Sequence, residues 1–243
     1  MPSPKPKSKK PLILITCGGC LGILILMFLY SVFSAKLMRT FRGEKPSSKP
    51  QVKIYNKETL ATMPRPETNV SYSFYPVYGN TMGEIDSSII TNMPAYGGDI
   101  YTAEGVQGAE AGRTESTFYW NVTPVQEENE CLMADIVLDT KLVIVMPEWK
   151  DRDKGSASLA AEWDNFYNAL DVHEIGHKDF ELQQFDEMWE VFKNVPKFEQ
   201  CEALVDHVKA EIQKVEARNT ERNTNYDIQT QHGQNQGAYV PQQ

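Results

Sequence analysis

The sequence predicts an α+β domain in which strands precede helices, behind an N-terminal apolar segment. Three observations support this prediction: an uncharged run near the N-terminus, short apolar and aromatic runs between residues 70 and 149, and a helical apolar period after them. The chain has 243 residues, 41% of them hydrophobic, which suffices for one sizeable globular core. We therefore expect one folded domain with appended segments.

The N-terminal segment has the length of a membrane span. Residues 11–35, PLILITCGGCLGILILMFLYSVFSA, contain no charge, and about 20 apolar residues cross a bilayer. Residues 1–10 carry four lysines, which favours a cytoplasmic N-terminus, but Lys36, Arg39 and Arg42 lie on the other flank, so charge alone does not settle the orientation. The run is longer than the apolar core of a signal peptide. We therefore expect an uncleaved signal anchor, with cleavage after Ser34 as the alternative.

The charge distribution constrains the partners of the domain. The formal net charge is -9, and the four lysines before the apolar run leave -13 on the rest of the chain. Such a surface repels nucleic acid and anionic lipid. We expect no nucleic-acid partner, and contact with the membrane only through the N-terminal helix.

The predicted elements follow in order. Residues 36–66 mix Lys, Pro and Ser and are expected to form a linker, which leaves residues 67–243 for the folded domain. Gly-rich turns separate three predicted strands, VSYSFYPVYG, STFYWNVTPV and CLMADIVLDTKLVIVMPEW. These strands are expected to form an antiparallel sheet.

Two helices are expected after the sheet. Residues of the first recur at spacings of three and four: Leu159, Trp163, Phe166, Leu170, His173, His177 and Phe180. The second is expected from about 201 to 218, on the apolar residues Leu204, Val208, Ile212 and Val215. The remaining tail, NTERNTNYDIQTQHGQNQGAYVPQQ, is polar.

Two cysteines lie outside the apolar run, Cys131 on a predicted strand and Cys201 at the start of the second helix. If the domain lies outside the cytoplasm, a disulfide between them is the economical interpretation. Two buried free thiols are the alternative, which a cytoplasmic location would favour.

The segment DVHEIGHKDF, residues 171–180, contains an H-E-x-x-H motif on the predicted buried face. Side chains four residues apart stand one turn apart on a helix, so His173 and His177 can bind one Zn²⁺. Glu174 points too far round the helix to ligate, and is placed to act as general base on the zinc-bound water. The alternative is a chance occurrence on a solvated helix.

A catalytic zinc site requires a third protein ligand. We predict His232, because Gly233 after it permits a sharp turn, and we expect Asp227 to orient a ligating histidine from the second shell. Tyr226 or Tyr239 is a candidate to stabilise an oxyanion. Glu199 or Glu202 is the competing third ligand, while His207 is expected to lie on the surface.

Several segments together resemble a bacterial family described as predicted secreted Zn-dependent proteases and formally of unknown function. They are FYPVYG, STFYWNV, LDTKLVIVMPEW, WDNFYNALDVHEIGH, QCEAL and NYDIQTQHGQNQGA, in this order over about residues 70–240. The resemblance implies a zincin-like domain outside the cytoplasmic membrane, with zinc on both motif histidines and Glu174 as catalytic base. The family's closing pattern is matched by Tyr226, Asp227, Thr230, His232 and Gly233. The chain departs from the family in its long apolar N-terminal run and linker.

These observations predict a membrane-anchored extracytoplasmic zinc metallopeptidase that acts on a peptide or protein. It would be a single-pass protein of the bacterial cell membrane with its domain on the periplasmic or extracellular side, or secreted if the signal is cleaved. A zinc-dependent amidase acting on the cell wall or another non-protein amide is an alternative. A non-catalytic binding module stabilised by zinc is another, although a structural site has no use for the carboxylate of Glu174.

Overall fold

The structure is a computed structural model that describes residues 54–55, 57–103 and 106–238. The expected membrane span, residues 11–35, lies outside these residues. Among the described helices, none combines the length and the apolar character that crossing a membrane requires.

The described part of the chain contains both strands and helices, which confirms the α+β class. The strands are β1 (Ile54–Tyr55), β2 (Asn69–Val77), β3 (Ile100–Ala103), β4 (Val106–Ala109), β5 (Arg113–Glu127) and β6 (Glu130–Trp149). The helices are α1 (Lys57–Thr62), α2 (Met82–Asn92), α3 (Ala157–Lys193) and α4 (Cys201–Thr230).

The main sheet has four strands and is built around β6. Strands β1 and β5 pair with β6 in antiparallel orientation, whereas β2 pairs with it in parallel, from Asn69 opposite Lys141 to Val77 opposite Trp149. The prediction of an antiparallel sheet was therefore wrong for β2. A parallel pair needs a long crossover connection, which α2, the β3–β4 hairpin and β5 provide here.

Helix α2 was not predicted. Its N-cap, Thr81, accepts a hydrogen bond from the Glu84 backbone N–H at 3.2 Å, and the Glu84 carboxylate accepts one from the Asn80 backbone N–H. Threonine followed by glutamate three residues later is the capping-box pattern at helix starts. The sequence signal was therefore present, between two of the predicted strands.

The folded domain begins before the predicted boundary at residue 67. Strand β1 pairs with β6, with Ile54 opposite Ala134, and Leu60 of α1 is buried in the core. These apolar positions are too few to show a period among the surrounding polar residues. The described residues of the predicted linker, 54–55 and 57–66, therefore belong to the domain.

Helix α3 packs its buried face against the sheet through two hydrophobic clusters, and Ser156 caps its N-terminus by accepting from the Leu159 backbone N–H. The first cluster joins the start of α3, as far as Leu170, to β2, α2 and the end of β6. The second joins the end of α3, from Phe185, to the other half of the sheet and to α4. The stretch of α3 between the clusters carries the H-E-x-x-H motif.

Helix α4 is longer than predicted, since it continues beyond residue 218 to Thr230. Its apolar half packs through Leu204, Val208, Ile212 and Val215, as the sequence predicted. Its polar half runs beside the motif of α3. A disulfide joins Cys201, at the start of α4, to the buried Cys131 of β6, and the Cys131 backbone N–H donates to Phe198 at 2.7 Å.

We expect that replacing both cysteines by alanine lowers the free energy of unfolding by about 4 kcal/mol, because the bridge spans 70 residues and restricts the unfolded chain. Urea unfolding of the full-length protein would measure this loss. An unchanged unfolding midpoint would contradict it.

Candidate metal centre

The buried face of α3 becomes polar between the two hydrophobic clusters. After Leu170 the face continues with His173, which is 4% exposed, and His177, which is partly buried. Buried polar groups require partners, because burial removes their hydrogen bonds to water. Their partners come from the end of α4 and the turn that follows it.

Three metal-binding atoms converge at this point. The Nε2 atoms of His173 and His177 lie 3.3 Å apart, and Oδ1 of Asp227 lies 3.4 Å from the first and 2.9 Å from the second. Asp227 lies in the last turn of α4. Within the described part of the chain, these residues form a three-ligand group that could hold a metal ion.

The opposite nitrogen of each imidazole has its own acceptor. Nδ1 of His173 lies 3.0 Å from Oε1 of Gln236, and Nδ1 of His177 lies 2.6 Å from Oδ1 of Asn223. Because a side-chain oxygen accepts from each Nδ1–H, the lone pair of each Nε2 is available to a metal. The hydrogen bonds thus orient both rings for binding.

Tyr226 packs on the face of the His173 ring. The two rings stack at a centroid distance of 5.0 Å with 12° between their planes, and the Tyr226 hydroxyl accepts from Nε2 of Gln236 at 3.0 Å. A Cβ on Gly176 would collide with that hydroxyl, so glycine is required inside the motif. The hydroxyl therefore lies against α3, where Tyr226 positions His173, and its predicted oxyanion role stays a prediction.

The turn after α4 places Gln236 beside His173. Gly233 has φ of +81°, in the left-handed region, and a Cβ there would meet the His173 ring at 3.0 Å. The segment is closed by the backbone N–H of Ala238, which donates to Gly233 at 3.0 Å. The predicted sharp turn at Gly233 is present, and it packs on the metal centre.

Glu174 is buried beside the ligands, with 3% exposure, and lines the same cavity. The Thr114 hydroxyl, on β5, lies 3.0 Å from both its backbone oxygen and its Oε2. Burial raises the pKa of the Glu174 carboxyl, and the nearby histidines and Thr114 offset only part of this. A carboxylate with a raised pKa is better matched to accepting a proton near neutral pH.

His177 and Asp227 form an ion pair when no metal is bound. Burial acts to lower the pKa of His177, but its hydrogen bonds with Asp227 and Asn223 outweigh this and raise the pKa to about 9. Burial acts to raise the pKa of Asp227, yet its hydrogen bonds with the two histidines hold it well below the usual range. A proton on Nε2 of His177 therefore occupies the position that a metal would take.

The donor set fits Zn²⁺. Two imidazoles and one carboxylate are a known ligand chemistry for this ion, and three protein ligands leave a position for water or substrate. Both Nδ1 atoms have acceptors, which is the usual second-shell support of a zinc site. The residues therefore suit a catalytic site better than a closed structural one.

The structure places two residues differently from their predicted roles. Asp227 faces the Nε2 atoms and occupies the place predicted for the third ligand, whereas the predicted second-shell function belongs to Asn223 and Gln236. His232 lies at the rim of the cavity, with its side chain 68% exposed and its Nδ1 3.8 Å from Oδ1 of Asp227. The helix that continues to Thr230 brings Asp227 inward, and the turn after it leaves His232 outside.

The competing glutamates do not reach the site. Glu202 is exposed in the first turn of α4, 25 residues before Asp227, a separation of about 37 Å along the helix. Glu199 lies before the same helix and lines a different cavity with Glu130. His207 is partly buried and its ring lies 5.2 Å from that of Phe198, away from the motif.

The candidate metal centre lies in a groove with a cavity of about 520 Å³, between β5, α3 and α4. This volume is within the range of small-molecule and cofactor sites. Since Glu174 and the ligands line the cavity, a molecule bound in the groove can reach both.

Comparison with protein families finds a match over residues 72–233 to a family described as bacterial protein of unknown function, DUF922. The chain belongs to this family. The matched region runs from β2 to Gly233 and therefore includes the motif and Asp227. Comparisons with curated proteins and with solved structures find no match. The family description assigns no activity, so zinc-dependent proteolysis remains a prediction.

We expect Asp227→Ala to weaken zinc binding by at least ~100-fold, because it removes a ligand, and His232→Ala to weaken it less than ~10-fold. Competition titration of the full-length protein with a chromophoric chelator would measure both. A larger effect of His232→Ala would instead make His232 the third ligand.

Zinc binding at pH 7 is expected to release about one proton, because the raised pKa keeps His177 protonated until the metal displaces the proton. The affinity should rise with pH and level off above a pH of about 9. Calorimetric titration in buffers of different ionisation enthalpy gives the proton count. Binding without proton release would contradict the assigned ion pair.

Proposed function

We propose that the protein is a zinc-dependent hydrolase of amide bonds in peptides, with a zincin-like site in the groove. The observation that carries this proposal is the buried carboxylate of Glu174 beside a convergent set of two histidines and one aspartate. A structural metal would not need an additional buried carboxylate at its side.

His173, His177 and Asp227 would hold the metal. When bound in such a three-ligand site, Zn²⁺ acts as a Lewis acid that lowers the pKa of a water molecule and polarises a carbonyl group. Glu174 would accept the proton of the attacking water and pass it to the leaving amine. Its hydrogen bond with Thr114 keeps Oε2 in a fixed orientation during both transfers.

The groove supports a peptide rather than a small amide as the substrate. It extends from the metal centre along both helices, past Phe118 of β5 to Gln184 of α3. A substrate that fills this length would contact the groove through several of its own residues, as a peptide can and a small amide cannot. Hydrolysis of a cell-wall amide would use the same machinery, but no feature of the groove favours it.

The disulfide supports a location outside the cytoplasm. Bridges such as that between Cys131 and Cys201 persist in oxidising compartments and are rare in the bacterial cytoplasm. Together with the apolar run at residues 11–35, this favours a domain held on the outer side of the cell membrane, as predicted from the sequence.

We expect Glu174→Gln to retain zinc but to lose hydrolysis by at least ~100-fold, the scale of general-base catalysis. Cleavage of a peptide library by the zinc-loaded full-length protein, followed by mass spectrometry, provides the assay. Glu162→Gln is the matched control, because Glu162 is an exposed carboxylate on the same helix and is absent from the groove. Equal cleavage by both variants would exclude Glu174 as the base, and loss of zinc from Glu174→Gln would make it a ligand.

A further inference from the structure

The groove continues beyond the metal centre along the same helical faces. On α3, Glu181 and Gln184 follow His177 by four and seven residues, and on α4 the facing positions are Asn219 and Asn223. Residues at these spacings share one face of a helix. We call Glu181, Gln184 and Asn219 the acceptor cluster.

The acceptor cluster has more buried acceptors than donors. Glu181 is 9% exposed and Asn219 is 4% exposed. Oε1 of Glu181 accepts from Nδ2 of Asn219 at 2.8 Å and from Nδ2 of Asn223 at 3.0 Å. Since its Nδ2 is bound to a carboxylate, the amide of Asn219 must present Oδ1 as an acceptor.

These acceptors lack donors among the described residues. Oδ1 of Asn219 is buried and has no hydrogen-bond partner. No described residue donates to Oε2 of Glu181, and the Gln184 side chain is held only through its nitrogen, 3.9 Å from the Met188 sulfur. An unpaired buried acceptor is unfavourable, so a ligand that brings N–H donors would be stabilised at this position.

The charge of the groove selects the same kind of ligand. The lining contains six carboxylates, those of Asp99, Glu110, Glu174, Glu181, Glu216 and Asp227. It contains one arginine, Arg113, whose guanidinium pairs with Glu115 at 3.2 Å. Zn²⁺ at the proposed site would offset two of these negative charges and Arg113 one, so the groove keeps an excess of negative charge that attracts cationic ligands.

We propose that the acceptor cluster is a specificity subsite for the ammonium or guanidinium group of a basic side chain in the peptide substrate. The proposal rests on the proposed function, because it takes the groove as the peptide site. Glu181 lies one helical turn, about 6 Å, beyond His177. An extended peptide advances about 3.4 Å per residue. The basic side chain therefore belongs within about two residues of the cleaved bond.

The test measures binding separately from hydrolysis. The zinc-loaded full-length protein with Glu174→Gln is titrated with two fluorescent alanine–serine decapeptides that differ only in one central residue, lysine or acetyl-lysine. Acetylation removes the charge and two of the three N–H donors of lysine. We expect the lysine peptide to bind at least ~10-fold tighter, the usual scale of a charged hydrogen bond.

Three further substitutions, each made together with Glu174→Gln, show which residues cause the preference for the lysine peptide. Glu181→Gln should abolish this preference, and Gln184→Glu should increase it by adding a carboxylate to the acceptor cluster. Glu162→Gln is the control for charge alone, since this exposed residue of α3 lies outside the groove. Zinc content and thermal unfolding of each variant establish that the fold is intact. If Glu181→Gln does not fold, the subsite is tested by Gln184→Glu alone, in which the preference for the lysine peptide should increase.

Equal binding of the two peptides, no binding of either, or an equal loss in Glu162→Gln and Glu181→Gln would overturn the subsite. Cleavage of the same peptides by the parent protein tests the proposed function independently. Lysine-dependent binding without cleavage would support the subsite and contradict the proposed hydrolase activity. Cleavage without a preference for the lysine peptide would support the hydrolase activity and contradict the subsite.

Discussion

The need to pair polar side chains on the buried face of α3 determines the arrangement of this domain. The face is apolar up to Leu170 and again from Phe185, and between them it carries histidine, glutamate and glutamine. A helix cannot rotate these residues into water without withdrawing both hydrophobic clusters from the sheet. Their partners must therefore come from a second element, and α4 supplies them on a matching polar face that includes Asn219, Asn223 and Asp227.

The position of Asp227 depends on both ends of α4. At the start, the disulfide at Cys201 ties the helix to the buried Cys131 of the sheet. At the end, the left-handed turn at Gly233 returns the chain to His173, and Gln236 completes the hydrogen bonds of that ring. Held between two fixed helices, the side chains of the proposed metal centre would be oriented before binding, which would lower the free-energy cost of assembling the site.

Sequence alone predicted the features that depend on local spacing, and missed those that depend on tertiary contacts. The placement of His173, Glu174 and His177 on one buried helix follows from their separation. The extension of α4 to Thr230 was missed because its second half faces polar residues and so has no apolar period. With the helix expected to end at about residue 218, Asp227 and His232 both fell in an apparent tail, where spacing cannot distinguish the roles of two polar residues. The parallel direction of β2 was missed for a similar reason, because alternation is the same in either direction.

The crystal structure of the zinc-loaded full-length protein, with zinc located by its anomalous scattering, tests the ligand set most directly. We predict one zinc ion within about 2.0–2.2 Å of Nε2 of His173, Nε2 of His177 and a carboxylate oxygen of Asp227, with Glu174 and His232 outside the coordination sphere. Zinc bound by His232 in place of Asp227, zinc bound by Glu174, or no zinc between α3 and α4 would contradict the account.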